Sequence, residues 1–289
     1  MSLAVTGATG LVGRFFVEEA LARNEPVTVL TRRTPPPGFF SAPVAHRPYS
    51  LGDRPDLTGH DTLIHCAFAH VPGRYRGGEG DDPKGFVRAN LDGSIALFEA
   101  ARASGLRRVL FLSSRAVYGA YPPGTVLTEE MAPRPDTLYG QVKHQAEQAL
   151  FAMAAPGFVP VSLRATGVYG PAAPGQRHKW ADLFEEFRAG RAIAPRRGTE
   201  VHGADLAEAG RLLRAADPAR VAGRAFNLSD ILLDRHDLLA LLAKAEGLTA
   251  PLPARSDSPV SAMDCTRMQA LGWTPGGMTR LRAILPRLL

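Results

Sequence analysis

Apolar and polar positions follow two distinct periods along the first 165 residues. An apolar run at residues 3–6 precedes a stretch of helical period at 11–23, and a second apolar run follows at 27–30. Short apolar runs separated by helical stretches predict βαβ units with parallel strands. By the same criterion, further strands are expected at residues 44–47, 62–66, 108–113 and 159–163, and further helices at 86–103 and 138–153. The predicted fold class is α/β, with a doubly wound parallel sheet whose centre lies near residues 109–112.

The alternation weakens after about residue 165, where helical patterns predominate. Helices are expected at residues 179–189, 204–216, 234–245 and 266–271. We therefore expect a first domain over residues 1–165, with a returning segment near 200–230. A smaller, mainly helical substrate-binding lobe is expected over residues 166–199 and 231–289.

Two irregular stretches rich in Gly, Pro or charge interrupt the pattern. They are TPPPGFFSAP at residues 34–43 and VPGRYRGGEGDDPKG at residues 71–85, and both are expected to be exposed loops. The second follows the carboxyl end of a predicted strand, where doubly wound sheets bind ligands. It is interpreted either as a flap over the substrate or as an ordinary solvated loop.

Composition narrows the class of protein and its partners. Of the 289 residues, 45% are hydrophobic and 21% charged, which is typical of a folded globular chain. The two cysteines form neither a disulfide framework nor a metal motif, and the chain starts with a strand pattern rather than a secretion signal, so a cytoplasmic protein without a metal is expected. No apolar run approaches the roughly 20 residues of a bilayer span, which argues against a membrane protein. The net charge of +6 comes without a nucleic-acid-binding motif, so a small phosphate-bearing molecule is the expected partner.

A glycine-rich turn follows the first predicted strand and opens the first helix, in the segment TGATGLVG. Gly7 permits a tight turn, Gly10 lets the backbone approach a pyrophosphate, and Gly13 lets the helix pack closely on the strand. The helix N-terminus supplies N–H donors and partial positive charge. This context predicts a Rossmann-type dinucleotide site rather than a bare turn. The residues expected to contact the cofactor here are Gly7, Thr9, Gly10, Leu11, Val12 and Gly13.

The end of the second predicted strand reads Thr31, Arg32 and Arg33. A carboxylate for the adenosine ribose of NAD is absent from this position. Two guanidinium groups suit a 2′-phosphate, so the pair favours NADP over NAD, although Thr31 suits either cofactor and two surface arginines are the alternative interpretation.

Three further residues form a candidate catalytic set. Tyr139 and Lys143 in YGQVK are four apart in a predicted helix and share one face. An ammonium beside a phenol favours the phenolate, so Lys143 would activate Tyr139. Ser114, at the carboxyl end of the fifth predicted strand, is placed to hydrogen-bond a reacting oxygen.

The ordered series of motifs resembles the extended short-chain dehydrogenase/reductase family, in particular its nucleotide-sugar epimerase/dehydratase branch. The resemblance covers nearly the whole chain and is carried by TGATGLVG, LIHCAFA, ANLDGS, SSRAVYG, YGQVK, LRATGVYGP, VHGADLAEA and DCTRMQALGW. It implies that Tyr139 is the acid/base, that Lys143 modifies its pKa and binds the ribose, and that Ser114 is the hydroxyl partner in hydride transfer. It also implies that Ala67 and Phe68 contact the cofactor and that Asn90 braces the helix beneath. His65 and Cys66 are expected to be buried strand residues.

Departures from the family pattern bear on the substrate. Arg115 and Ala116 follow Ser114 where sugar dehydratases carry Asp-Glu, which argues against a 4,6-dehydratase. Gly167 replaces an Asn that helps to hold the nucleotide sugar, and Glu200 stands beside the place of a missing Arg. Substrate contacts are nevertheless expected from Ser114, Arg115 and Gly167. A diphosphate could be held by Arg177, His178, Lys179 or Arg197.

Three hypotheses about function follow. The leading one is an NAD(P)-dependent epimerase or ketoreductase acting on a nucleotide-activated sugar, and the second is an NADPH-dependent carbonyl reductase for a non-sugar metabolite. A cofactor-binding protein without catalysis is the third, although such a protein would be expected to lack Tyr139 or Lys143. A homodimer is compatible with all three.

Overall fold

A seven-stranded parallel sheet forms the centre of the molecule in the computed structural model, which describes residues 2–71 and 77–289. The strand order is β3-β2-β1-β4-β5-β6-β9. Its strands are β1 (Leu3–Thr6), β2 (Val27–Thr31), β3 (Ala45–Pro48), β4 (Thr62–His65), β5 (Arg108–Ser114), β6 (Val159–Ala165) and β9 (Arg224–Leu228). The predicted doubly wound sheet is confirmed. β4 rather than β5 is the middle strand, and β5 lies beside it.

Helices cover both faces of this sheet. The helices of the chain are α1 (Leu11–Ala22), α2 (Pro83–Val87), α3 (Gly93–Ala103), α4 (Leu138–Ala152), α5 (Ala181–Arg188), α6 (Gly203–Ala215), α7 (Pro218–Val221), α8 (Arg235–Glu246), α9 (Thr266–Gln269) and α10 (Gly277–Ile284). On β5, Leu110 joins the core beneath α1 and α6, whereas Val109 and Phe111 join the core beneath α3 and α4. Because successive strand residues point to opposite faces, a strand buried on both sides is apolar throughout.

A second, three-stranded sheet lies in the C-terminal half, where the pattern predicted mainly helices. Its order is β10-β8-β7, formed by β7 (Gly167–Tyr169), β8 (Arg197–His202) and β10 (Ile231–Asp234). Together with α5, α8 and α10 it encloses a separate apolar core that includes Trp180, Phe184 and Leu239. β9, in contrast, returns to the main sheet beside β6.

One aromatic residue of α1 connects the main sheet to this second region. The Phe15 ring lies 5.6 Å from the His202 ring, edge to face. A β carbon at Gly203 would overlap the Phe15 ring, and one at Gly170 would come within 2.6 Å of it. Both glycines therefore provide the room in which Phe15 packs.

The loop at residues 34–43 is less exposed than its composition suggests. Phe39 and Phe40 are buried, with 6% and 9% of their surfaces exposed, and their rings pack edge to face 4.9 Å apart against the core beneath α1. Two aromatic rings bury enough apolar surface to hold a Pro-rich loop against the protein, while most of its other residues are exposed, as expected. Of the second loop, residues 72–76 lie outside the described part of the chain, and Pro83 already begins α2.

No helix in the described residues is long and apolar enough to cross a bilayer. The division into domains at residues 165, 199 and 231 stays a prediction.

A buried ion pair joins α4 to β6. Arg164 donates to both carboxylate oxygens of Glu147, at 2.8 Å from Nη2 and 3.0 Å from Nε, and Ser162 donates to the same carboxylate at 2.7 Å. The side chains of Glu147 and Arg164 are only 1% and 6% exposed. Burial alone would raise the pKa of Glu147, but hydrogen bonds and the charge of Arg164 hold it at about 2.

Replacing Glu147 by Gln should destabilise the protein by about 3–5 kcal/mol at pH 7, because a buried guanidinium is left without its counter-ion. The pKa of Glu147 is depressed, so this contribution is present above the unfolded pKa of about 4.3 and is lost as the pH falls towards 2. Urea unfolding of both proteins at pH 7 measures the difference.

The matched control is Glu99→Gln, which breaks the exposed pair of Arg54 and Glu99. Its expected cost is below about 1 kcal/mol. Equal losses in the two variants would contradict the special role of the buried pair.

Candidate functional site

The glycine turn has the geometry that a dinucleotide phosphate requires. Gly7 has a φ of +64°, and a β carbon there would lie 2.6 Å from the Ala67 nitrogen. A β carbon at Gly13 would overlap the Gly7 carbonyl. The Gly10 amide donates to the Gly7 carbonyl oxygen at 3.0 Å and closes the turn. The backbone therefore approaches itself too closely for any side chain at Gly7 or Gly13.

The N-terminus of α1 carries donors without a side-chain acceptor. Gly10 is its N-cap residue and makes no side-chain cap, and the first turn contains no acidic residue. Free amide donors and the positive end of a helix dipole suit a phosphate. The residues present thus fit a dinucleotide, with Thr9, Leu11 and Val12 in the same turn.

A chain of buried hydrogen bonds runs from this turn to the neighbouring helix. The Thr6 hydroxyl accepts from the amides of Cys66 and Ala67, at 3.2 Å each, and lies 2.6 Å from His65 Nδ1. His65 Nε2 lies 3.0 Å from the Ser94 hydroxyl, which donates to the Asn90 carbonyl. Because Thr6 already accepts twice, its proton goes to Nδ1, and Nε2 carries the proton of a neutral imidazole. Burial lowers the pKa of His65 to about 3, in agreement with the neutral form.

Asn90 lies in a π-helical turn, Arg88–Asp92, between α2 and α3. Its side-chain oxygen accepts from the Ala69 amide at 2.7 Å, and its side-chain nitrogen donates to the carbonyls of Ala69 and Phe86 at 2.8 and 2.9 Å. The single helix expected at residues 86–103 is therefore divided by a wide turn. The side chain of Asn90 fixes the segment that carries Ala67 and Phe68.

Tyr139 and Lys143 lie one turn apart at the start of α4, as their spacing predicts. Lys143 is 3% exposed, and its ammonium donates to the Leu112 carbonyl of β5 at 2.6 Å. The ammonium lies 5.9 Å from the centre of the Tyr139 ring. Burial lowers the pKa of Lys143 to about 7.

Tyr139 and Lys143 both pack against the ring of Phe68. Its ring packs edge to face on Tyr139 at 5.1 Å, and the Lys143 ammonium lies 4.2 Å from its centre. The ammonium also lies over the ring of Phe111, 4.6 Å from its centre. Sequence reasoning took Phe68 for a cofactor contact only, because nothing in the sequence shows that its ring reaches α4.

Ser114 ends β5 close to the start of α4. Its hydroxyl accepts from the Ala116 amide at 3.1 Å and caps a short 3-10 turn, Arg115–Val117. A β carbon at Gly140 would lie 2.5 Å from the Ala116 carbonyl oxygen, so α4 packs directly on this turn. Ser114, Tyr139 and Lys143 are thereby brought to one edge of the sheet.

Arg32 and Arg33 are exposed beyond the end of β2. The Thr31 hydroxyl donates to the Arg33 carbonyl at 2.8 Å and holds this turn together. β2 is the neighbour of β1, so Arg32 and Arg33 follow the strand that lies beside the one leading into the glycine turn.

The cations considered for substrate binding have protein partners. Arg115 and Arg197 donate to backbone carbonyls of one segment, at Ser261 and Ser258 respectively. Arg177 forms exposed ion pairs with Asp182 and Glu185. Lys179 pairs with Glu200 beside Gly167. Their direct contact with substrate stays a prediction.

One contact that sequence reasoning missed connects the second region to the turn. The Gln176 side chain donates to the Thr9 carbonyl at 2.9 Å, although the two residues are 167 positions apart. No motif signals it, because Gln176 lies in an irregular loop.

The chain is similar to known proteins over most of its length. The chain is 27% identical to a UDP-glucose 4-epimerase of Corynebacterium glutamicum, covering 99% of this chain and 94% of the relative. It is 26% identical to a 4-hydroxy-2-methyl-3-oxo-4-farnesyl-3,4-dihydroquinoline-1-oxide ketoreductase of Stigmatella aurantiaca, covering 86% and 75%. The crystal structure of Thermus thermophilus UDP-glucose 4-epimerase in complex with NAD superposes with a TM-score of 0.75 at 26% identity, covering 100% of this chain and 99% of that one.

A family model matches residues 3–229, from β1 to the residue after β9. This range contains the glycine turn, Ser114, Tyr139 and Lys143. The chain belongs to the NAD dependent epimerase/dehydratase family.

Proposed function

We propose that this protein interconverts a hydroxyl and a keto group on a nucleotide-activated sugar, with Tyr139 as the acid/base and NAD or NADP as the cofactor. The observation that carries the proposal is the position of Lys143. Its ammonium is anchored to β5, the strand that ends in Ser114, and lies within 6 Å of the Tyr139 ring. Family membership and the similarity to UDP-glucose 4-epimerases support the substrate class.

Tyr139 moves the proton in this mechanism. Its phenol donates a proton to the substrate oxygen during reduction, and its phenolate accepts the proton of the substrate hydroxyl during oxidation. The positive charge of Lys143 favours the phenolate, which makes proton transfer feasible at neutral pH. The Ser114 hydroxyl donates a hydrogen bond to the same substrate oxygen. When bound, the dinucleotide supplies the donor or acceptor of hydride.

Lys143 is poised between its two protonation states in the structure. Burial brings its pKa to about 7, so the ammonium is only partly populated at neutral pH. An anion beside it, whether a phenolate or a phosphate, would raise that pKa and favour the charged form. Substrate and cofactor binding would thereby strengthen the charge that activates Tyr139.

A second candidate function is the reduction of a ketone that carries no diphosphate. The contacts of the cations considered for substrate binding favour it. Arg115, Lys179 and Arg197 are all engaged by protein acceptors. A diphosphate would have to compete with these partners. The similarity to a ketoreductase and the exposed pair of Arg32 and Arg33 suit such a reductase. Turnover of UDP-glucose against simple ketones distinguishes the two functions.

Tyr139→Phe should lower kcat at least 100-fold, because the phenol proton is lost while the ring remains. NADH affinity, measured by fluorescence titration, should change less than threefold. Tyr121→Phe is the control, since this hydroxyl donates to the Ala132 carbonyl in a loop. Activity of the Tyr139 variant at the wild-type level would remove Tyr139 from the mechanism.

Changing both Arg32 and Arg33 to Ser should weaken NADPH binding at least tenfold and leave NADH binding nearly unaltered, because only NADP carries the 2′-phosphate. The measurement is calorimetric titration with each reduced cofactor. Arg102→Ser, an exposed arginine of α3, controls for net charge. If the double variant retained wild-type NADPH affinity, the interpretation of these arginines would be wrong.

Lys143→Met should stabilise the cofactor-free protein, and more so at pH 6 than at pH 9. The folded-state pKa of Lys143 is about 7, against about 10.4 unfolded, so burying its charge opposes folding fully below pH 7. Between these two pKa values the unfolded chain binds more protons than the folded chain, so the free energy of unfolding of the wild type rises with pH. Urea unfolding at both pH values tests this, with the exposed Lys244→Met as control. A stability difference that did not vary with pH would contradict the depressed pKa.

A further inference from the structure

An ion pair between Lys179 and Glu200 lies where the second sheet meets the end of β6. The ammonium of Lys179, from the segment between β7 and α5, donates to Glu200 Oε2 on β8. The two side chains are 22% and 14% exposed, so the pair is largely but not fully withdrawn from water. Burial raises the pKa of Glu200 although Lys179 opposes the shift.

Gly167 makes room for this pair. It stands opposite Glu200 in the parallel register of β7 and β8. A β carbon at Gly167 would lie 2.5 Å from Glu200 Oε2 and would overlap the ammonium of Lys179. The charged ends therefore occupy the volume that any side chain at Gly167 would need, and a larger residue would displace them.

The position of Gly167 puts the pair close to the proposed reaction centre. Ala165, the last residue of β6, stands opposite Ser114 in the sheet, and Gly167 follows two residues later. Neighbouring strands are about 4.8 Å apart. The glycine turn, in contrast, follows β1, two strands away from β5. β6, which leads to Gly167, thus lies on the side of β5 that is away from β1 and its glycine turn.

The chemistry of the pair suits hydroxyl groups. Lys179 retains donors that Glu200 does not use, and a carboxylate accepts several hydrogen bonds, so a hydroxyl finds both partners. An anion would be attracted by the ammonium and repelled by the carboxylate to a similar degree, so the pair offers a carboxylate no net attraction to replace the water that it loses.

We infer that Gly167, Lys179 and Glu200 form a specificity element that accepts a neutral, hydroxyl-bearing substituent next to the reacting carbon and discriminates against a carboxylate there. The inference rests on the proposed function for the location of the reacting carbon. In this inference Lys179 acts together with Glu200 in the selection of the substrate. Lys179 is then not a free cation that binds a diphosphate.

The test is the substitution Glu200→Gln, which removes the negative charge and preserves the shape. The ratio of kcat/KM for UDP-glucuronate to that for UDP-glucose should rise at least tenfold over wild type, because Lys179 becomes an unpaired cation. Glu246→Gln is the matched control, since it makes the same charge change in a pair with Arg188 on α5. A ratio within twofold of wild type in Glu200→Gln, or an equal rise in the control, would overturn the inference.

A second measurement separates this inference from the proposed function. If the wild type turns over neither nucleotide sugar, the proposed substrate class fails. The free sugars glucuronate and glucose are then titrated into protein saturated with NAD, with ligand-observed NMR as the readout. Glucuronate should gain at least tenfold in affinity in Glu200→Gln alone, and unchanged affinities for both sugars would overturn the specificity element. Circular dichroism verifies that each variant is folded.

Discussion

Backbone segments at the ends of β1 and β4 lie so close together that Gly7 has no space for a β carbon, and the start of α1 packs so closely on Gly7 that Gly13 has none either. This backbone contact fixes the positions of other residues as well as that of the glycine turn. The Thr6 hydroxyl holds the amides of Cys66 and Ala67, so the end of β4 is fixed relative to β1. Phe68 follows immediately, and its ring supports Tyr139 and Lys143. The geometry of the candidate catalytic pair, Tyr139 and Lys143, therefore depends on this close approach of two backbone segments.

Lys143 shows how the protein keeps a charge in a buried place. Transfer of an ammonium from water into a protein interior is costly unless polar partners replace the water. Here the Leu112 carbonyl accepts one hydrogen bond, and the faces of Phe68 and Phe111 offer the negative side of their rings. These partners only partly offset burial, which explains why the pKa of Lys143 falls to about 7. The ammonium is held in place before any ligand arrives, so little reorganisation is needed.

The hydrophobic pattern predicted the main sheet well because most of its strands are buried on both faces, the exposed edge strand β3 being the exception. The first six strands and the helices α1 and α4 agree with expectation to within one or two residues. The second sheet was missed because β7 and β10 have only three and four residues and because β8, RGTEVH at Arg197–His202, is mostly polar. Motif spacing predicted that Tyr139 and Lys143 share one face of a helix and that Ser114 ends β5, and α4 indeed begins on the turn that Ser114 caps. It gave no information about partners, so the salt bridge of Lys179 and the carbonyl contacts of Arg115 and Arg197 were seen only in three dimensions.

The π turn at Arg88–Asp92 also sets the rotational phase of the helix that follows it. An α-helix advances about 100° per residue, so the wide turn rotates α3 relative to α2 by about the angle of one residue. That rotation directs Ser94 towards His65 while Asn90 still reaches Ala69. Deletion of a single residue here would restore a regular helix and swing one of these two side chains out of reach. The insertion thus allows one continuous helical segment to contact both the last residue of β4 and the loop that follows it, whose spacing an unbroken α-helix does not match.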